Sequence, residues 1–290
     1  MYNKYFGNYL LKKRIVSPEQ LKQVLKAQES ARVMLGVLAI ESGMMNAAQI
    51  NKVHGLQMTK DMRFGELAIA EGFITEENLA VLLKKQKESH VLLGQILLDQ
   101  GILDYEAYEK ILAAYKIDSG FSDHEIEVLK GNNTDEIVRM IIGNDPELAI
   151  FEEYMELFVR NLVRFIDRDL IIEKPFAVDN FTYEYLASQQ IVGDYKIATA
   201  ICADAETAVK FAAVYAEETI ESMNDLAKDA LGEFMNCQNG LFISNLYHKN
   251  VKCDLEAQMF SQKGELKAVN QLLVVPCQLG FGKIEIIFNR

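Results

Sequence analysis

Two side chains in the segment Asp229-Ala-Leu-Gly-Glu-Phe-Met-Asn-Cys-Gln-Asn-Gly240 carry the most defined chemistry in the chain. Glu233 offers a carboxylate that accepts hydrogen bonds and pairs with a cation. Asn236 offers an amide that donates and accepts without titrating. Residues three apart on a helix project together. Asp229, Glu233, Asn236 and Gly240 recur at spacings of 4, 3 and 4 and share one face. Leu226, Ala230, Leu231, Phe234 and Leu241 mark an apolar face of the same helix. Gly232 and Gly240 flank the polar pair. Glycine inside a helix costs about 1 kcal/mol against alanine. Two of them here predict room for another protein's surface to approach this turn.

The rest of the composition supplies no metal or nucleophile for that pair. Cys202, Cys237, Cys253 and Cys277 have no Cys-x-x-Cys spacing and read as buried free thiols. His54, His90, His124 and His248 are scattered singly, so no metal site is expected. A chain of 290 residues, half of them hydrophobic, suits two domains. No apolar run approaches the roughly 18 to 20 residues of a membrane helix. The N-terminus lacks the apolar core of a signal peptide. These features predict a cytoplasmic protein without membrane insertion. Charge is uneven. Residues 1–115 hold 14 Lys+Arg against 13 Asp+Glu, which leaves 16 against 29 for residues 116–290. The acidic second part disfavours nucleic acid and leaves a partner with a basic or metal-loaded face.

The first 115 residues repeat. Gly7, Gly36, Gly65 and Gly94 stand 29 residues apart, each after Phe or Leu. Gly43, Gly72 and Gly101 follow seven residues later, with Arg14 at that place in the first copy. Leu21, Ile50, Leu79 and Tyr108 recur as large apolar residues, and Gln28, Gln57 and Gln86 close three copies. Each copy reads as a short helix ended by a glycine, then a second helix capped by Thr75 in the third copy and Asp104 in the fourth. Such a hairpin buries its apolar face only against its neighbours.

Residues 5–115 resemble the N-terminal domain of type II secretion and pilus ATPases, the MshE-like N-terminal domain. Arg63-Phe64-Gly65 matches the start of that family's motif, while the arginine position holds Tyr5, Met34 and Leu92 in the other copies. Some members bind cyclic di-GMP through a tandem pair. The resemblance therefore implies cyclic di-GMP as a candidate ligand of Arg63, Gly65, Gly72, Gly94 and Gly101. A dinucleotide's phosphates want cationic partners, and three of the four copies lack one. A helical interaction module without nucleotide is the other reading.

Residues 116–146 shift in composition and read as a partly helical connector, with short helices at 123–130 and 134–142. Asn144-Asp-Pro146 closes it. From Glu147 a long amphipathic helix is expected to about Asp167, with Leu148, Phe151, Met155, Phe158, Leu162 and Phe165 on its buried side. Strands are expected at 170–182, 185–202, 250–260, 265–276 and 282–289. Asp204 caps a helix over 206–215, and Asn224 caps the helix of Glu233. The order α-β-β-α-α-β-β-β predicts an α/β layer sandwich with a mostly antiparallel sheet. The whole chain is then an α+β two-domain protein, all-α helical-hairpin repeats over 1–115 preceding this domain over 147–290.

That order, and the complete Asp229/Glu233/Asn236/Gly240 pattern, resemble the CheX/CheC family of chemotaxis phosphatases. The resemblance implies a phosphorylated CheY-type receiver as partner, with Mg²⁺ on the receiver and no intrinsic cofactor. It implies Asn236 placing the attacking water, Glu233 pairing with the receiver's phosphate-site lysine, and Asp229, Gly232 and Gly240 in support. Family members are often dimers formed by strand pairing, so a homodimer is expected. The alternative is a receiver-binding or cyclic di-GMP-responsive adaptor without catalysis. Glu221 and Asn224 repeat the short Glu-x-x-Asn spacing without the glycine.

Overall fold

The computed structural model describes residues 2–26, 33–60, 62–88, 92–131, 133–143, 148–168 and 170–289. Gln28, the segment Asn144-Asp-Pro146 and the helix start at Glu147 lie outside them. The chain divides into two compact units, Met1–Gly131 and Asn132–Arg290. The stretch 116–146 is shared between them.

The first unit is helical. Its described helices are α1 Tyr2–Lys12, α2 Pro18–Lys26, α3 Leu35–Glu41, α4 Ala47–Gln57, α5 Phe64–Ala70, α6 Glu76–Glu88, α7 Leu92–Asp99, α8 Tyr105–Ser119 and α9 Asp123–Gly131. Side-chain caps start several of them. Asn46 and Gln49 form a capping box on α4, Thr75 Oγ1 accepts from the Asn78 amide, and Asp104 accepts from the Ala107 amide.

One contact recurs along the unit. A Cβ on Gly7 would lie 3.1 Å from Leu21, one on Gly36 3.2 Å from Ile50, and one on Gly65 2.6 Å from Leu79. On Gly94 it would collide with the Tyr108 ring and hydroxyl. Each glycine thus lets a short helix press onto a large side chain fourteen residues on. A second recurrence is conformational. Gly43, Gly72 and Gly101 are left-handed, with φ of 64°, 72° and 65°, and so is Arg14 at 57°. The first copy keeps the turn without keeping the glycine.

The second unit opens with α10 Thr134–Ile142 and α11 Ala149–Phe165. Phe151, Met155, Phe158 and Leu162 of α11 are buried as expected, but Phe165 at its last turn is exposed. The strands are β1 Ile171–Ile172, β2 Phe176–Gly193, β3 Ile197–Ala203, β4 Cys253–Leu255, β5 Met259–Leu279 and β6 Gly282–Asn289, with α12 Ala205–Ala216 and α13 Asp225–Tyr247 between β3 and β4. All pairings are antiparallel, in the order β1-β5-β6-β3-β2-β4, with β2 also paired to β5. Strands β5, β6, β3 and β2 therefore form a closed circuit.

Two expectations change here. The segments 170–182 and 185–202 are not two strands broken near residue 184. β2 runs through to Gly193, where φ of 121° starts the turn into β3. Likewise 265–276 is the middle of one long strand, β5. Both strands are long because each pairs with different neighbours along its length. Leu186, Ala200, Cys202, Leu272, Val274 and Ile287 form a core on one sheet face, covered by Val178, Phe181, Tyr183, Leu266 and Ala268 from the extended arms of β2 and β5. The other face carries Ile197, Ile201, Ile284 and Ile286, which alternate with these along β3 and β6. Phe288 on that face meets the rings of Phe151 and Tyr154 of α11 at steep angles, with centroids 4.9 and 5.6 Å away.

Candidate functional site

Asn224 Oδ1 accepts from the Ala227 amide and starts α13, so Asn224 serves as its cap, as expected. Along α13 the buried stripe is Ala227, Ala230, Leu231, Phe234, Met235, Gln238, Phe242 and Leu246. Leu226 and Leu241, expected on the apolar face, are 48% and 43% exposed. Polar Gln238 and Asn239 hold interior positions instead, because the unit supplies them with partners. Asn161 Nδ2 donates to Gln238 Oε1 at 2.7 Å, and the Tyr154 hydroxyl donates to Asn239 Oδ1 at 3.0 Å.

Phe234 fixes this turn of the helix. Its ring meets Phe211, Tyr215 and Phe158 at centroid distances of 5.0, 5.3 and 5.6 Å, near edge-to-face in each case. Glu233, immediately before it, is exposed, and Asn236 is half-buried. Both side chains of the pair are engaged within the unit. Gln258 Nε2 donates to Glu233 Oε1 at 3.2 Å, and Gln189 Nε2 of β2 donates to Asn236 Oδ1 at 3.0 Å. Gly232 is buried, and a Cβ there would come within 2.9 Å of the Gln258 side chain. The room it leaves is filled by the chain itself. Gly240 faces open space, and Asp229 is exposed one turn before Glu233.

The surroundings are acidic. Asp225, Asp229, Glu233 and Glu256 are all exposed, and Lys228 is paired with Asp225 at 2.9 Å. That ion pair raises the Lys228 pKa and lowers that of Asp225. Burial, then the neighbouring Cys237 thiol, raises the Tyr215 pKa beside Phe234. Such a surface favours a cationic group on whatever docks over Glu233. Among the described residues, no group of three His, Cys, Asp or Glu could hold a metal ion. Of the cysteines, Cys202 and Cys277 are buried, whereas Cys237 and Cys253 are only half-buried.

The residues proposed for a dinucleotide lie in the first unit. Arg63 is exposed at the N-cap of α5, where its backbone amide donates to Glu66. Gly65 and Gly94 are buried against Leu79 and Tyr108, and Gly72 and Gly101 are exposed helix ends.

Sequence reasoning missed Gln189, Thr199, Asn239 and Tyr154 behind Asn236. The available signal was Gln189 itself, a polar residue in phase with Ala187 and Ile191 on the inward face of β2.

An antiparallel sheet packed against helices, the longest of which presents an acid–amide pair, defines an α+β domain. Residues 185–278 match the family described as chemotaxis phosphatase CheX. Among solved structures, CheX from Desulfovibrio desulfuricans is similar over 48% of this chain and 97% of its own, at 14% identity and a TM-score of 0.42. CheX from Vibrio vulnificus is similar over 48% and 99%, at 17% identity and a TM-score of 0.42. A CheX–CheY–BeF3–Mg²⁺ complex from Borrelia burgdorferi is similar over 49% and 97%, at 19% identity and a TM-score of 0.41. No curated protein matches the chain in sequence. Among the described residues, no helix is long and apolar enough to cross a membrane.

Proposed function

We propose that the second unit hydrolyses the aspartyl phosphate of a CheY-type receiver. The observation that carries this reading is the placement of Glu233 and Asn236, one turn apart at the surface of α13, inside the segment that matches the chemotaxis phosphatase family. An acyl phosphate is already reactive, so catalysis needs positioning and electrostatics rather than a nucleophile from this chain. Exposed Glu233 takes the receiver's phosphate-site lysine and fixes the register of docking. Asn236 holds a water in line behind phosphorus. That water forms the new P–O bond as the bond to the aspartyl oxygen breaks, releasing phosphate and the free carboxylate. The divalent ion belongs to the receiver, where it neutralises phosphoryl charge. A receiver substrate places the protein in the cytoplasm.

Phosphate release from phosphorylated receivers of the same genome tests the proposal. Asn236→Ala should abolish the acceleration while circular dichroism stays unchanged and the protein remains folded at the assay temperature. Full activity in that variant would remove Asn236 from the chemistry. Sedimentation of the full chain reports whether it forms the expected homodimer.

The first unit is read as a regulatory or localisation module because it is a separate compact unit, and its repeat resembles the MshE-like domain. Cyclic di-GMP is its candidate ligand, with Arg63 as the exposed cation. Calorimetry of the full chain with cyclic di-GMP decides this, and the absence of heat from both wild type and Arg63→Ala would leave an adaptor role.

A further inference from the structure

Gln189 is only 3% exposed, yet its side chain has three polar neighbours. Its Nε2 donates to Asn236 Oδ1 at 3.0 Å and to the Glu256 carbonyl oxygen at 2.9 Å. Its Oε1 accepts from Asn239 Nδ2 at 3.0 Å. The two ends of a side-chain amide look alike, and their assignment follows from the hydrogen-bond network. Here the network has a fixed end. A backbone carbonyl can only accept, so the Gln189 atom facing Glu256 must be Nε2. The Asn236 atom facing that same Nε2 must then be Oδ1.

The chain of contacts continues inward. Asn239 Nδ2 also donates to Thr199 Oγ1 at 3.0 Å, and Asn239 Oδ1 accepts from the Tyr154 hydroxyl at 3.0 Å. The Thr199 hydroxyl lies 3.3 Å from the Gln189 carbonyl oxygen, which accepts from it. Thr199, Asn239 and Tyr154 are at most 1% exposed. Four elements, α11, α13, β3 and β2, therefore converge on the orientation of one half-buried amide. Stability alone does not call for this arrangement. Replacing buried hydrogen-bonded partners together by apolar groups of the same shape is often nearly neutral. What an apolar core would not supply is a defined direction for Asn236.

We propose that Gln189 is a positioning residue for hydrolysis, holding Asn236 with Oδ1 inward and Nδ2 turned away toward the docked receiver. This rests on the phosphatase reading above. Asn236 then meets the attacking water first as a donor through Nδ2, and the second lone pair of Oδ1 accepts from the same water. The direction is set before the receiver arrives, which is where preorganised groups gain their effect.

The test uses the full chain with Gln189→Leu and Gln189→Met, neither of which can donate to Asn236. Steady-state dephosphorylation of a phospho-receiver should show kcat down about 10- to 100-fold, the scale of a misplaced catalytic group. KM should stay within about twofold, because Gln189 does not touch the receiver. In parallel, NMR of the Asn236 side-chain amide should report one ordered group in the wild type and a mobile one in Gln189→Leu. Unchanged kcat in an active protein overturns the proposal, as does an Asn236 amide equally ordered in the variant. A wild type that releases no phosphate from any receiver instead removes the phosphatase reading, and the NMR comparison still decides whether Gln189 orients Asn236.

Discussion

The Tyr108 hydroxyl donates to Glu41 Oε1 inside the first unit, and Glu41 Oε2 has no hydrogen-bond partner among the described residues. Lys130 Nζ lies 4.0 Å from that oxygen. Burial outweighs both Lys130 and Tyr108 and pushes the Glu41 pKa up to about 7 from 4.5. Between those values the folded unit holds a proton that the unfolded chain has released. The stabilisation is full below the unfolded value and is lost as pH rises through the folded one. About 3 kcal/mol should therefore disappear between pH 4.5 and pH 7.5. Hydrogen-exchange protection of α3 and α8, corrected for intrinsic rates, measures it. Glu41→Gln should flatten the profile, and a flat wild-type profile would show that Glu41 is charged throughout.

The four packing glycines should not be equivalent. Tyr108 is wholly buried and tied to Glu41, so it has nowhere to move when Gly94 gains a Cβ. Gly94→Ala should cost about 1–3 kcal/mol, the usual range for overpacking. Gly65→Ala meets the branched end of half-buried Leu79, which can rotate away, and should cost less. Urea midpoints of the two variants give the order directly.

Arg14 occupies a left-handed position that its three counterparts fill with glycine. A non-glycine residue is strained there, whereas glycine is not. Arg14→Gly should raise the stability of the first unit by about 0.5–1 kcal/mol after glycine's larger unfolded-state entropy is counted. A fall in stability would mean that the Arg14 side chain contributes more than the turn costs.

Glu233 is exposed among other acids, so its contribution lies in docking. Glu233→Gln should raise KM for a phospho-receiver about tenfold with a smaller change in kcat, and should weaken the dependence of KM on salt. A loss confined to kcat would assign Glu233 to the chemical step instead.

Local signals in the chain predicted local structure well. Asn224, Asp204, Thr75 and Asp104 all cap the helices assigned to them, since a cap is a contact three residues long. The antiparallel sheet of the second unit was legible from the order of its helices and strands. Where β2 ends was not, because a strand that exchanges neighbours keeps its alternation while its pairing changes. Leu226 and Leu241 were misplaced for a related reason. Helical spacing gives a face, but which flank of that face meets the sheet depends on distant partners. The support behind Asn236 was the least legible, for Gln189, Asn239 and Tyr154 are 50 and 85 residues apart along the chain.

Phe234 sits between Glu233 and Asn236 in sequence and in the middle of the aromatic core in space. The functional turn of α13 therefore has no low-energy way to open by itself. Releasing it means pulling a ring from among Phe158, Phe211 and Tyr215, which belongs to global unfolding rather than to local fraying. Heating should take away activity and tertiary structure along a single curve, with no inactive but folded state of the second unit in between.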